Sequence, residues 1–135
     1  MWDGTNYRGL TFGQTIVAPA TAANQAPQLG QWTYGGDATA GWRKDPAGNI
    51  EQWGQFAEIS VAATSVVSET VTFDTSAPFT TAPMVNVGIV GSGASYGGTA
   101  YLQSGSVTTT QFSVSLVNLQ SGAEYVGFTW TARGR

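Results

Sequence analysis

Histidine and cysteine are both absent from the 135 residues. Without cysteine there is no disulfide framework, no thiolate metal site and no cysteine nucleophile. Without histidine there is no imidazole general base, no Ser-His-Asp triad and no ordinary zinc site. Charge is also scarce. Five Lys+Arg and eight Asp+Glu make up 10% of the chain and leave a net charge of -3, where an average soluble protein carries roughly 25% charged residues. So few basic groups argue against a nucleic-acid partner, whose phosphates require a basic surface. No stretch of about 18 apolar residues exists, so no membrane insertion is expected. The opening Met1-Trp2-Asp3 has neither a basic nor an apolar leader segment, and no signal peptide is read there.

What is present is aromatic and punctuated. Five Trp, five Tyr and six Phe stand among 41% hydrophobic residues, with 18 Gly and five Pro. That much apolar area excludes a disordered chain. Thr, Ser, Gly, Asn and Gln take the place of charges. Such a surface repels itself weakly, as expected where chains pack around an axis.

No segment keeps helical spacing of apolar residues over three turns, whereas several alternate with period two. The expected fold is all-β, an antiparallel sandwich of six or seven strands behind a short N-terminal arm. Residues 1–13 read as a hairpin fragment around Asp3-Gly4. Residues 14–30 are rich in Ala, Gln and Pro and read as a connector. Between Pro19 and Pro27 there is room for one short helical turn. The arm is therefore placed at 1–30 and the sandwich at 31–135. Strands are expected at 31–34, 49–60 (with an offset at Gly54), 69–75, 84–90, 99–104, 111–118 and 125–132. Phe112, Val114 and Leu116 fall on one face of their strand, and Val126, Phe128, Trp130 and Ala132 on one face of theirs.

Candidate chemistry is sparse. The loop Gly91-Ser92-Gly93-Ala94-Ser95-Tyr96-Gly97-Gly98 follows a strand but lacks the Lys-Ser/Thr of a phosphate loop, and no helix follows it. It reads as an exposed hairpin loop with Tyr96 at its tip. A rigid ring on a Gly/Ser loop offers contact area at low entropic cost. Tyr96, with Ser95 and Tyr101 nearby, is the expected ligand contact. Asp37, Asp45, Glu51, Glu58, Asp74 and Glu124 form no recognisable catalytic pair and no calcium-binding array. Asp37 and Asp45 read as turn residues, and Glu51 and Glu58 as outward strand positions. No catalytic residue, metal site or cofactor is expected. Arg43-Lys44 reads either as a solvated strand edge or as a contact for an acidic sugar or phosphate. Arg133 and Arg135 read as solvated. Trp53 and Trp130 are expected in the core, while Trp32 and Trp42 stay open between core, subunit contact and ligand platform.

Three stretches together bring a family into view. Gly41-Trp42-Arg43-Lys44-Asp45-Pro46-Ala47-Gly48-Asn49-Ile50-Glu51-Gln52-Trp53-Gly54 resembles the G-[WY]-x-K-x-P-x-G-x-I-x-Q-W-G opening strand of phage tail-fibre C-terminal domains. Val71-Thr72-Phe73, with Pro78-Phe79 and Ala82-Pro83-Met84-Val85, resembles the passage that follows it in those proteins. Phe128-Thr129-Trp130-Thr131-Ala132-Arg133-Gly134 is similar to their closing strand. The run from Ala20 to Gln31 also resembles a phrase found upstream in many tail fibres. The second and third stretches further resemble the H-type lectin sandwich, whose members bind N-acetylgalactosamine-type sugars. The resemblance implies a homotrimeric receptor-binding tip, extracellular on the virion, joined to the rest of a tail fibre. Its implied partner is a bacterial surface glycan such as lipopolysaccharide, or a surface protein, and no catalysis is implied. A lectin domain, a purely structural fibre module and a polysaccharide-degrading enzyme are the alternatives. The chain itself reads as a fragment of a longer fibre.

Overall fold

A computed structural model of the chain describes residues 32–90 and 97–135. The expected arm at 1–30 lies outside these. The described residues contain eight strands and no helix: β1 (Thr33–Gly36), β2 (Gly41–Lys44), β3 (Ile50–Val61), β4 (Val66–Thr72), β5 (Met84–Val90), β6 (Gly98–Leu102), β7 (Gln111–Asn118) and β8 (Glu124–Gly134). They form two antiparallel sheets, β1-β2-β3-β8-β5 and β4-β7-β6.

Period-two alternation sets which faces meet. Phe112, Val114 and Leu116 of β7 are fully buried, and Val126, Phe128, Trp130 and Ala132 of β8 turn towards them. Ile50 and Val61 of β3 complete the large sheet's inner face. The loop after β4 adds Phe73, Ala77 and Phe79 to the same core. Phe73 sits at the centre of an aromatic cluster, with ring centroids 4.9 Å from Phe79, 5.5 Å from Phe112 and 5.8 Å from Trp130. Each fully buried Phe contributes about 1.5–3 kcal/mol relative to exposure, so this cluster closes one end of the sandwich.

Several boundaries match the alternation residue for residue, including Met84–Val90 and Gln111–Asn118. Others differ. Gly41–Lys44 is an additional strand, and Gly35 and Gly36 belong to β1 instead of ending it. The Asp45-Pro46-Ala47-Gly48-Asn49 loop between β2 and β3 closes with Gly48 N–H on the Asp45 carbonyl at 3.0 Å, and Gly48 has φ of +87°. That is a type I turn followed by a left-handed residue, which glycine adopts without steric cost.

The offset expected at Gly54 lies elsewhere. Gly54 pairs in register with Trp130, and the shift falls between Phe56 and Ile59. There two residues, Ala57 and Glu58, oppose Gly127. A Cβ on Gly127 would lie 2.8 Å from the Phe56 carbonyl oxygen, so the glycine that permits the bulge is on the partner strand. Gly54 answers a different need. A Cβ there would lie 2.7 Å from Trp130 Nε1. The same relation holds for the cross-strand pairs Gly35–Trp42 and Gly41–Trp53. Three indoles thus each cover a glycine on the neighbouring strand.

Two buried polar side chains tie loops to this frame. Gln52, fully buried on β3, donates from Nε2 to the carbonyls of Asp74 (3.1 Å) and Ala77 (2.8 Å) and accepts from Asp74 N–H (2.8 Å). Asn118, at the end of β7, does the equivalent at the other end of the sandwich. Among the described residues no buried side-chain polar atom lacks a partner, as the cost of an unsatisfied group demands.

Candidate functional site

Strand direction sorts the loops into two sets. β3, β5 and β7 run away from the end at which Trp32 leads into β1, and β4, β6 and β8 run back. The far end therefore carries the β3–β4, β5–β6 and β7–β8 connections. The near end carries the β2–β3, β4–β5 and β6–β7 connections together with Arg135.

The far end is drawn together by Asn118. Its Nδ2 donates to the carbonyls of Val61 (3.0 Å), Ala62 (3.1 Å) and Gly122 (2.7 Å), and its Oδ1 accepts from Gln120 N–H (2.8 Å). Thr64 N–H bonds the Gln120 carbonyl at 3.1 Å, and Leu119 N–H the Gly97 carbonyl at 3.4 Å. Thr64 itself has φ of 51°, a left-handed conformation uncommon for a β-branched residue. Val66 (64% exposed), Leu119 (74%) and Tyr125 (62%) offer apolar surface around this end. Of the expected contact residues, Ser95 and Tyr96 lie outside the described residues. Tyr101 lies on β6, within the strand expected at 99–104, opposite Ser115 and 49% exposed. It stands on the outer face of the small sheet beside a polar patch, where Gln103 Nε2 donates to Ser68 Oγ (2.7 Å) and Ser115 Oγ (3.0 Å).

The near end holds an open cleft of about 720 Å³, lined by residues of β2, β3, β5 and β8 with Trp32 and the β2–β3 and β4–β5 loops. Its floor is a cross-strand row. Register places Arg43, Glu51, Arg133 and Met84 side by side across β2, β3, β8 and β5, and Tyr34 of β1 continues the row beyond the cleft. Directly paired residues share a face, so opposite charges meet. Arg43 binds Glu51 Oε2 through both Nε and Nη2. Arg133 binds Oε1 with Nε at 2.7 Å and Nη2 at 2.6 Å. Burial works against the Glu51 carboxylate, but the hydrogen bonds and charges of Arg133 and Arg43 outweigh it. Its pKa lies below the ordinary glutamate value. Glu51 points outward as alternation implies, and Arg43 and Arg133 stay more than half exposed, but register joins the three into one triad instead of leaving them as separate charges. Arg135 is tied as well, with Nε donating to Asn49 Oδ1 at 3.2 Å.

Asp37 and Asp45 take the expected turn roles. Asp37 Oδ1 accepts from Thr39 N–H (2.7 Å) and Ala40 N–H (3.0 Å), and the Ala40 and Thr39 bonds lower its pKa. Asp45 accepts from both the side chain (2.6 Å) and the backbone (2.8 Å) of Asn49, whose side-chain bond lowers its pKa most. Trp130 is core as expected. Trp53 is not: it is half-buried on the outer face, covering Gly41, with Nε1 donating to the Asp37 carbonyl at 2.9 Å. Trp42 packs inward against the core. Trp32 meets Arg43, whose Cζ lies 5.9 Å from the ring centroid. Among the described residues no group of three Asp or Glu side chains is placed to hold a metal ion.

The architecture is thus a two-sheet antiparallel sandwich with a tied loop set at one end and a basic cleft at the other. Its similarities lie with pyocin tail fibres. An N-truncated R1-type pyocin tail fibre matches with a TM-score of 0.62 and 24% identity over 77% of this chain and 85% of that one. A C-terminal fragment of the Pseudomonas aeruginosa R1 pyocin fibre matches with a TM-score of 0.63 and 20% identity, covering 99% of this chain but 45% of the other. The corresponding R2 pyocin fibre fragment gives 0.50 and 20% identity, with 100% and 45% covered. No protein-family profile and no curated protein sequence matches the chain. The fold is shared with these tail-fibre fragments.

Proposed function

We propose that the chain is a tail-fibre module that attaches a phage or phage-like particle to a bacterial surface. It acts as a homotrimer, outside the cell, at the tip of a longer fibre, and performs no catalysis. The observation that carries this reading is the shared fold with the R1-type pyocin tail fibre over 85% of that chain. The sequence resemblance to tail-fibre C-terminal domains points the same way. The topology supports it too, because the far-end loops face away from the end at which Trp32 leads in. The receptor contacts are proposed for those loops and the adjoining small sheet, with Ser95, Tyr96 and Tyr101 as the contact residues. A surface polysaccharide or lipopolysaccharide is the proposed receptor. Three linked copies of a weak site raise effective binding by about 10²–10⁴-fold without new contacts.

The test is the mass of the protein in solution together with adsorption of labelled protein to a panel of bacterial strains and to purified lipopolysaccharide. Three copies and strain-dependent adsorption, weakened by Tyr96→Ala or Tyr101→Ala at unchanged melting temperature, are expected. A monomer at micromolar concentration that adsorbs to no strain would overturn the reading. Strain-independent binding of one simple sugar would favour an H-type-like lectin instead. A trimer that binds nothing would favour a structural fibre module.

A further inference from the structure

We infer that the near-end cleft is a binding site for an acidic saccharide, distinct from the far-end loops. Three observations converge on it. The first is charge segregation. In a chain of net charge -3, three of the four basic residues among the described residues line this cleft: Arg43 on β2, Arg133 near the end of β8 and Arg135 just beyond it. Among the side chains lining the cleft three guanidiniums face two carboxylates, Glu51 and Asp45. A basic pocket on an acidic molecule draws anions to that one place.

The second is preorganisation. Glu51 holds Arg43 and Arg133 from opposite sides through the Nε and Nη2 of each. The guanidiniums are fixed, yet their side chains stay 53% and 69% exposed, and neither has another hydrogen-bond partner among the described residues. Donors remain for a carboxylate or phosphate, which planar guanidiniums bind well. Glu51 itself, 15% exposed, sits beneath them as the counter-charge.

The third is the wall. Trp32 borders the same cleft and holds Arg43 against its ring. An indole beside charged donors suits a pyranose, which offers C–H groups to a ring and hydroxyls to polar neighbours. Asn49 and Thr81 line the cleft as such neighbours. Its volume lies in the range of small-molecule sites, and its openness to solvent suits one or two sugar units of a longer chain.

The test is amide-shift titration of the full chain with trigalacturonic acid, glucose 6-phosphate, maltotriose, inorganic phosphate and a short polyglutamate. Saturable shifts at Asn49 and Gly134 with the first two are expected, and none with maltotriose. Raising salt from about 20 mM to about 500 mM should weaken binding. Arg133→Gln should weaken it about tenfold or more, with partial recovery in Arg133→Lys. Because Arg133→Gln also unpairs Glu51, Arg135→Gln serves as a second variant outside the triad and should weaken binding as well. Tyr101→Ala should leave the titration unchanged, which separates this site from the proposed receptor loops. Absence of saturable shifts with both acidic sugars, equal binding of maltotriose, or full affinity in both arginine variants would overturn the inference. So would binding of phosphate as tight as glucose 6-phosphate, or of polyglutamate as tight as trigalacturonate.

Discussion

The indole of Trp130 occupies the space that a side chain on Gly54 would need. The two residues are directly paired across β3 and β8, and a Cβ on Gly54 would meet Nε1, Cε2 and Cζ2 of the ring at 2.7–2.8 Å. Gly54→Ala is therefore expected to destabilise the fold by about 1–3 kcal/mol, as overpacking of a filled core does. Gly122→Ala meets nothing within 4 Å and should stay within about 0.5 kcal/mol of the parent. Urea denaturation of the two variants checks the contrast.

Gln52→Leu should be more damaging than its similar volume suggests. It removes both donors and the acceptor that serve the buried loop after β4, leaving groups of Asp74 and Ala77 without these partners. A loss of roughly 2–4 kcal/mol is expected, read from the denaturation midpoint at unchanged m-value.

Acid should release the Glu51 triad. The folded pKa of Glu51 lies below its ordinary value of 4.5, so its contribution is complete above the unfolded value and is lost as pH falls through the folded one. Glu51→Gln should lower the melting temperature at neutral pH, and its gap to the parent should narrow as pH falls below the ordinary glutamate value of 4.5 and close once it passes below the depressed folded pKa. With both arginines more than half exposed, the effect should not exceed about 1 kcal/mol. A gap that widened in acid would contradict the assignment. Asp37 and Asp45, also held below the ordinary range, titrate alike in both proteins.

Asn118→Ala should loosen one end selectively. Hydrogen exchange at Thr64 and Gln120 should accelerate well beyond that at near-end amides, with a global cost of roughly 2 kcal/mol. Uniform acceleration would show that the far end does not open on its own.

The sheet framework was legible wherever one face is apolar and the other polar. β5 and β7 match their expected bounds, and Phe112, Val114, Leu116, Phe128 and Trp130 are core as their alternation implies. Short strands with glycine in them were not legible, because Gly35 and Gly41 carry no side chain to alternate, and the indoles of Trp42 and Trp53 that cover them are seen only across the sheet. Alternation also reports which face a residue takes, but not which neighbour it meets. Glu51, Arg43 and Arg133 therefore looked like three separate surface charges, and only register makes them one cluster 82 positions apart in sequence at its widest link. A signal for Gln52 was present: it is a polar residue at an inward position, between Ile50 and Gly54 on β3. Ser95 and Tyr96 stand on the sequence reading alone.

The clasp made by Asn118 touches only main-chain atoms: three carbonyls and one amide. Nothing in it depends on which side chains Ala62, Gln120 or Gly122 carry. Such a surface can be rewritten residue by residue while its anchorage stays put, so new decoration there would not require rebuilding the scaffold.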